Sequence, residues 1–409
     1  MSKFSLTLFF TILFFCNIKS QDLIEFSMGS GYEYDIFYSL DDGLTGYADR
    51  TNWELAFSTD QSHNNIRINS GNGVTLFKVS ENLDDWGQIN SLSANDIQLR
   101  NSHVDWSIGA FVSDAIGNLN YGWGNYNPNN EITEGNSIYI INYGLESKKM
   151  IINSSYNGSF NVTVANLDGS SEEDFDVNTA DYTNKKFIYY SLTNMEILDR
   201  EPNIDNWDLI FTKYEANLNK LNNDSELFYI VTGALSNYNM VFEYDGFLDV
   251  NPPTELILES TSFAINSIGW DWKEYSDAGY NIIPNRSYFI FNSELTDLYK
   301  LVFQSFSGGS SGNCSFFIEN LEYQPTHVLE LNNGLNMQIY PNPNNGYFSL
   351  TSTVNDVQVV IKDISGRVVF NKYYENKMNI DLTSLHEGLY FVILEGNNIS
   401  INSKIIINR

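Results

Sequence analysis

Cysteine is nearly absent from this chain, with Cys16 and Cys314 the only two in 409 residues. Cys16 lies in the apolar N-terminal run, so a chain trimmed of that run keeps one thiol and can form no internal disulfide. Paired-cysteine zinc sites are excluded with it. Histidine is as scarce, four residues in all, and neither an H-E-x-x-H helix nor a phosphate loop occurs. Bases are few: 22 Lys and Arg stand against 51 Asp and Glu, a formal net charge of −29. Phosphate backbones are gripped by clustered Lys and Arg, so nucleic acid is excluded as a partner, and the acid excess reads as the solubility of a surface protein. After the N-terminal segment no run of 18 apolar residues remains, so no membrane span is expected.

That segment, "MSKFSLTLFFTILFFCNIKSQD", sets Lys3 before an apolar run from Phe4 to Cys16 and a short polar stretch. It reads as a secretory signal peptide, residues 1–20, cut after Ser20. Lipidation of Cys16 is disfavoured because Phe15 stands where a small residue belongs. Loss of Lys3 and Lys19 leaves the remainder two charges more negative.

What the chain does have is apolar bulk, 42% hydrophobic and 15% aromatic, enough for large cores. It also repeats itself. "NWELAF" (52–57) returns as "NWDLIF" (206–211), 154 residues on. "FYSL" (37–40) answers "YYSL" (189–192), "SIGAF" (107–111) answers "SIGWDW" (267–272), "SIYIINY" (137–143) answers "SYFIFNS" (287–293), and "VANLDG" (164–169) answers "IENLEY" (318–323). Five phrases in one order at nearly constant spacing indicate tandem duplication. The expected domains are copy one at 21–169 and copy two at 170–324, opening on the acidic linker "DGSSEEDFDVNTADYTN" (168–184). A Ca²⁺ site from Asp168, Glu172, Asp174 and Asp176 is conceivable there, but the spacing fits no EF-hand and a solvated linker is the stronger reading. Short aromatic and β-branched runs bounded by Asn, Asp, Gly and Ser are strand grammar, so both copies read as antiparallel β domains. One stretch, "YEANLNKLNND" (214–224), reads as a candidate helix.

A joint at 325–336 leads to strands and tight turns over 337–409, a small immunoglobulin-like β-sandwich. Its phrases "YPNPNNGYFSL", "VVIKDISGRVV", "IDLTSLHEGLYFV" and "KIIINR" resemble the type A C-terminal sorting domain of type IX secretion. The resemblance implies export through the signal peptide, the secretion machinery as a partner, and a final place at the cell surface or in the medium. The fold class is thus all-β: two tandem antiparallel domains plus a sorting sandwich.

In copy two "FIYYSL", "NWDLIFTKY", "YIVTGALSN", "INSIGWDWKEY" and the run from Ser287 to Leu321 resemble the HmuY-like haem-binding family of β surface proteins. Copy one keeps "FYSL", "NWELAF", "IRINSGNGVTLFKV" and "SIYIINY". The family implies haem as a cofactor, held by axial His or Met. His63 and His103 are candidate ligands in copy one. Copy two has no histidine, and only the thioethers of Met195 and Met240 remain there, which core packing explains as readily as haem ligation. The rival is a glycan- or protein-binding adhesin on the same scaffold, with Tyr121, Trp123 and Tyr126 of "YGWGNYNP" as a stacking loop and Trp270 and Trp272 as counterparts. Gly308-x-Ser310-x-Gly312 mimics a nucleophile elbow but sits between strand runs without a His partner. The expectation is a non-enzyme that captures a small molecule or glycan.

Overall fold

The computed structural model describes residues 21–60, 64–116, 119–218, 227–293, 295–321, 337–342, 344–352, 357–363, 367–374, 378–396 and 399–407. The signal-peptide reading lies outside them. The chain divides into two units, one ending at Tyr323 and the other beginning at Gln324. Both are built of antiparallel sheets, and among the described residues the one α-helix is Thr254–Ser260. Among the described residues no helix is long and apolar enough to cross a membrane.

The first unit holds two β-sandwiches. In one, a sheet running from Thr75–Ser80 through Ile138–Tyr143, Glu146–Tyr156 and Ser159–Asn166 to Glu173–Asn178 covers an inner sheet. Phe57, Ile66, Tyr139, Ile152, Phe160 and Ile188 fill the core between them. In the other, Asp22–Ser27, Asn313–Asn320, Leu298–Phe306, Arg286–Phe291 and Val241–Asp245 cover a second inner sheet over a core that includes Ile36, Tyr38, Phe211, Tyr288 and Phe316. Cys314 is buried there, and burial pushes its thiol up to about 12.

The expected boundary at 169/170 is not where the sheets divide, because the copies exchange strands. Tyr34–Ser39 of copy one pairs with Leu209–Asn217 of copy two, and Phe187–Ser191 of copy two pairs with Leu55–Ser58 of copy one. The registers match: Leu55↔Tyr190, Ala56↔Tyr189 and Phe57↔Ile188 on one side answer Leu209↔Tyr38, Ile210↔Phe37 and Phe211↔Ile36 on the other. The outer sheets follow suit, with Asp22–Ser27 pairing Asn313–Asn320 as Glu173–Asn178 pairs Ser159–Asn166. The acidic stretch expected as a linker is therefore partly this strand. Asp174 and Asp176 accept hydrogen bonds from Thr163 and Asn161, and no group of metal-ligating side chains forms among the described residues. The expected helix at 214–224 likewise begins as strand, since Tyr214 to Asn217 extend the ladder to Phe228–Ser236.

The repeated phrase explains itself in this exchange. Its acid latches the other copy: Asp208 Oδ2 accepts the Leu40 N–H at 2.7 Å, and Glu54 Oε2 accepts the Leu192 N–H at 2.6 Å, each at the turn that follows the donated strand. Its tryptophan meets a ring of that strand edge-on, Trp207 with Phe37 at 5.3 Å and Trp53 with Tyr189 at 4.8 Å.

The second unit is a sandwich of the sheets Met337–Tyr340, Tyr347–Ser352, Met378–Asp381 and Val368–Tyr374, Val357–Asp363, Gly388–Gly396, Ile399–Ile407. Phe348, Val359, Ile361, Val392 and Ile405 fill its core. The asparagines of "YPNPNNG" tie to the last strand: Asn342 Oδ1 accepts from Ile406 N–H, its Nδ2 donates to Lys404 O, and Asn344 N–H donates to Ile406 O, each at 2.8 Å.

Two measurements check the exchange. A fragment of residues 50–200 is expected to unfold cooperatively in urea while 21–169 does not, and cooperative unfolding of 21–169 alone would refute the strand assignment. Asp208→Ala, which strips the Leu40 N–H of its buried acceptor, is expected to cost about 1–3 kcal/mol, read from the urea midpoint.

Candidate functional site: the central cleft

Strands paired on both sides and buried on both faces leave a second apolar surface, and the two inner sheets turn these surfaces towards each other. Ala56, Phe187 and Tyr189 form one cluster, Phe37, Trp207, Ile210 and Leu235 the other, and Trp106 packs against both. Between the sheets lies a partly open cavity of about 70 Å³, whose lining includes Trp53, Asp35, Arg200, Arg67, Lys213 and His103.

Charge in this cleft is tightly managed. Arg200 Nη2 meets Asp35 Oδ2 at 2.7 Å, with the side chains 6% and 3% exposed. Thr212 Oγ1 donates to Asp35 Oδ1 at 2.5 Å, and the Arg200 guanidinium lies 4.8 Å from the Tyr189 ring centre. Arg200 Nε is buried without a hydrogen-bond partner. Arg67 makes no ion pair among the described residues; it donates to the carbonyls of Asp105 at 2.9 Å and Ser102 at 2.7 Å and lies over Trp106, and burial pulls it down to about 10. These bonds hold the loop that carries His103. Glu215 pairs with Arg100. Lys213 stands 5.8 Å over the Tyr32 ring, and burial and then Arg50 lower its pKa.

Of the residues expected to bind, the structure brings only His103 into this cleft, half-buried. His63 lies outside the described residues. Met240 packs beside Phe289, Phe291 and Ile257 as core, and Met195 packs against the first sandwich core. The expected stacking loop is not one: Trp123 is 0% exposed, its Nε1 donates to Asn64 O at 3.0 Å, and Gly124–Asn127 is a strand. Tyr121 packs partly buried on the first core and Tyr126 is half-buried. Trp272 is buried and Trp270 partly so. Gly308–Ser310 forms a 3-10 turn between two strands, with no strand-to-helix elbow. The cleft's working residues, Asp35, Arg200, Arg67 and Lys213, passed unnoticed in the sequence. The signal available was rarity, since each base in so acidic a chain is a candidate for a buried role.

Residues 338–408 match the family described as the secretion system C-terminal sorting domain. The C-terminal unit is a type IX secretion sorting domain. The protein is thus exported to the cell surface or secreted. No curated protein matches the chain. Eight chains of solved structures do, among them PorZ, described as an essential bacterial surface component of the type IX secretion system of Porphyromonas gingivalis. That match has 11% identity and a TM-score of 0.17 over 69% of this chain and 44% of PorZ, so this chain spans less than half of PorZ's length. A TM-score this low carries no argument.

The Arg200–Asp35 pair offers a direct check of the cleft. Removing one partner leaves a buried charge, so Arg200→Leu is expected to cost about 3–5 kcal/mol, and Arg200→Leu with Asp35→Leu less than that. Urea unfolding of the two single variants and the double variant measures the difference.

Proposed function

We propose that residues 21–323 form a non-enzymatic binding body which the sorting domain delivers to the cell surface, and that ligand contact centres on the cleft between the inner sheets. The supporting observation is the cleft itself, where aromatic walls and buried cations meet between the two inner sheets. Binding is favoured over catalysis because its carboxylates are already tied, Asp35 to Arg200 and Thr212 and Glu215 to Arg100.

Haem, the ligand implied by the HmuY-like resemblance, has narrow support. One candidate axial donor, His103, reaches the cleft, Met240 is packed as core, and about 70 Å³ is well below the ~300–1,000 Å³ of pockets that enclose larger ligands. The adhesin reading gains from the tyrosines that remain exposed elsewhere on the body. Haemin titrated into purified residues 21–409 is expected to give no saturable Soret shift. A saturable six-coordinate spectrum that disappears in His103→Ala would reverse this reading and restore haem.

A further inference from the structure

Lys213 joins the cleft to a row of rings. Its ammonium lies over Tyr32; Tyr32 stacks on Phe306 at 5.9 Å and an interplanar angle of 6°; Phe306 meets Tyr280 edge-on at 5.0 Å; and Tyr280 meets Tyr275 at 5.2 Å. Tyr275 and Tyr280 stand on a hairpin, Lys273–Ser276 with Gly279–Ile282, that pairs only with itself, and they are 75% and 36% exposed. The platform is preset. A Cβ on Gly308, whose φ is +72°, would come within 2.9 Å of the Tyr280 ring, and one on Gly309 within 3.5 Å of Tyr32, so the glycine turn lets both rings settle against its backbone. Tyr32 itself holds φ 61°, a left-handed conformation that is costly for a bulky side chain. Among the described residues no ion pair forms on Lys213, where burial and Arg50 act instead, in a chain where acids outnumber bases by more than two to one.

We propose that this row, with Lys213 at its inner end, binds an anionic polysaccharide. The CH faces of pyranose rings lie on the exposed Tyr275 and Tyr280, and a carboxylate or sulfate of the polymer meets the Lys213 ammonium, which Tyr32 and Phe306 hold in line with them. The proposal rests on the binding reading above and names its ligand class. Salt screens exposed charges beyond about 8 Å under physiological conditions, so the protein's distant acids oppose such a polymer little and only acids beside the row do.

Affinity electrophoresis of purified residues 21–409 tests it, in gels containing polygalacturonate (carboxylate only), dextran sulfate (sulfate only) or neutral hydroxyethylcellulose. Retardation is expected in at least one anionic gel and not in the neutral one, and which anionic gel retards tells carboxylate from sulfate. Tyr275→Ala, at an exposed position that should leave the melting temperature unchanged, is expected to weaken retardation about tenfold. Lys213→Met should abolish it and Lys213→Arg retain it. Equal retardation by the neutral polymer, or retardation indifferent to both Tyr275→Ala and Lys213→Met, overturns the proposal. So does no retardation in any gel, which leaves the cleft reading standing, whereas a His103-dependent haem spectrum would overturn the exclusion of haem and keep the cleft as its site.

Discussion

Everything in the first unit depends on a strand edge that each copy leaves for the other to fill. Leu209–Asn217 cannot complete its sheet without Tyr34–Ser39, nor Leu55–Ser58 without Phe187–Ser191. An open edge of such apolar strands is a pairing hazard, and reciprocal filling removes two at once. It also explains why these donated strands are buried along nearly their whole length. One face packs into a sandwich core and the other into the junction, so a strict apolar–polar alternation would strand polar groups on one of them.

The same junction governs the charges. Where the inner faces meet, water is scarce, so each cation there must be answered locally. Arg200 is answered by Asp35, and Arg67 by backbone carbonyls of the loop it secures. Lys213 is answered, among the described residues, by a ring face and not by an ion pair, which is weaker compensation in a partly buried place. The cleft and the tyrosine row are therefore continuous in electrostatic terms as well as in space.

Much of the fold was legible in the sequence. Period-two runs and turn residues announced strands, and two of the echoed phrases fall at matching registers in the inner sheets. The phrase "YPNPNNGYFSL" marked the sorting sandwich because Asn342 and Asn344 have fixed backbone partners to satisfy. What the sequence did not disclose was which copy each strand pairs with. The ladder Leu55↔Tyr190 and a hypothetical ladder within one copy would use the same residue types, so only the long-range topology separates them. The site was misread for a related reason. Trp123 sits among Gly and Asn, the company of an exposed loop, yet its indole donates to the Asn64 carbonyl and turns inward.

The pairing of Asp22–Ser27 with Asn313–Asn320 also sets an order in time. Ser27 and the Ser311 carbonyl it donates to are 284 positions apart, so the second sandwich waits for residues at both extremes of the first unit. Chain-closure entropy grows only with the logarithm of loop length, and earlier contacts shorten the loop, so the delay costs little in stability. It costs more in time, because such non-local contacts form late on the path to the native state. The first sandwich, whose strands run from Leu55 to Leu198, can assemble without the chain's later strands. The second closes only when its own last strand has arrived, and until then the segment that opens the body remains an unspent partner.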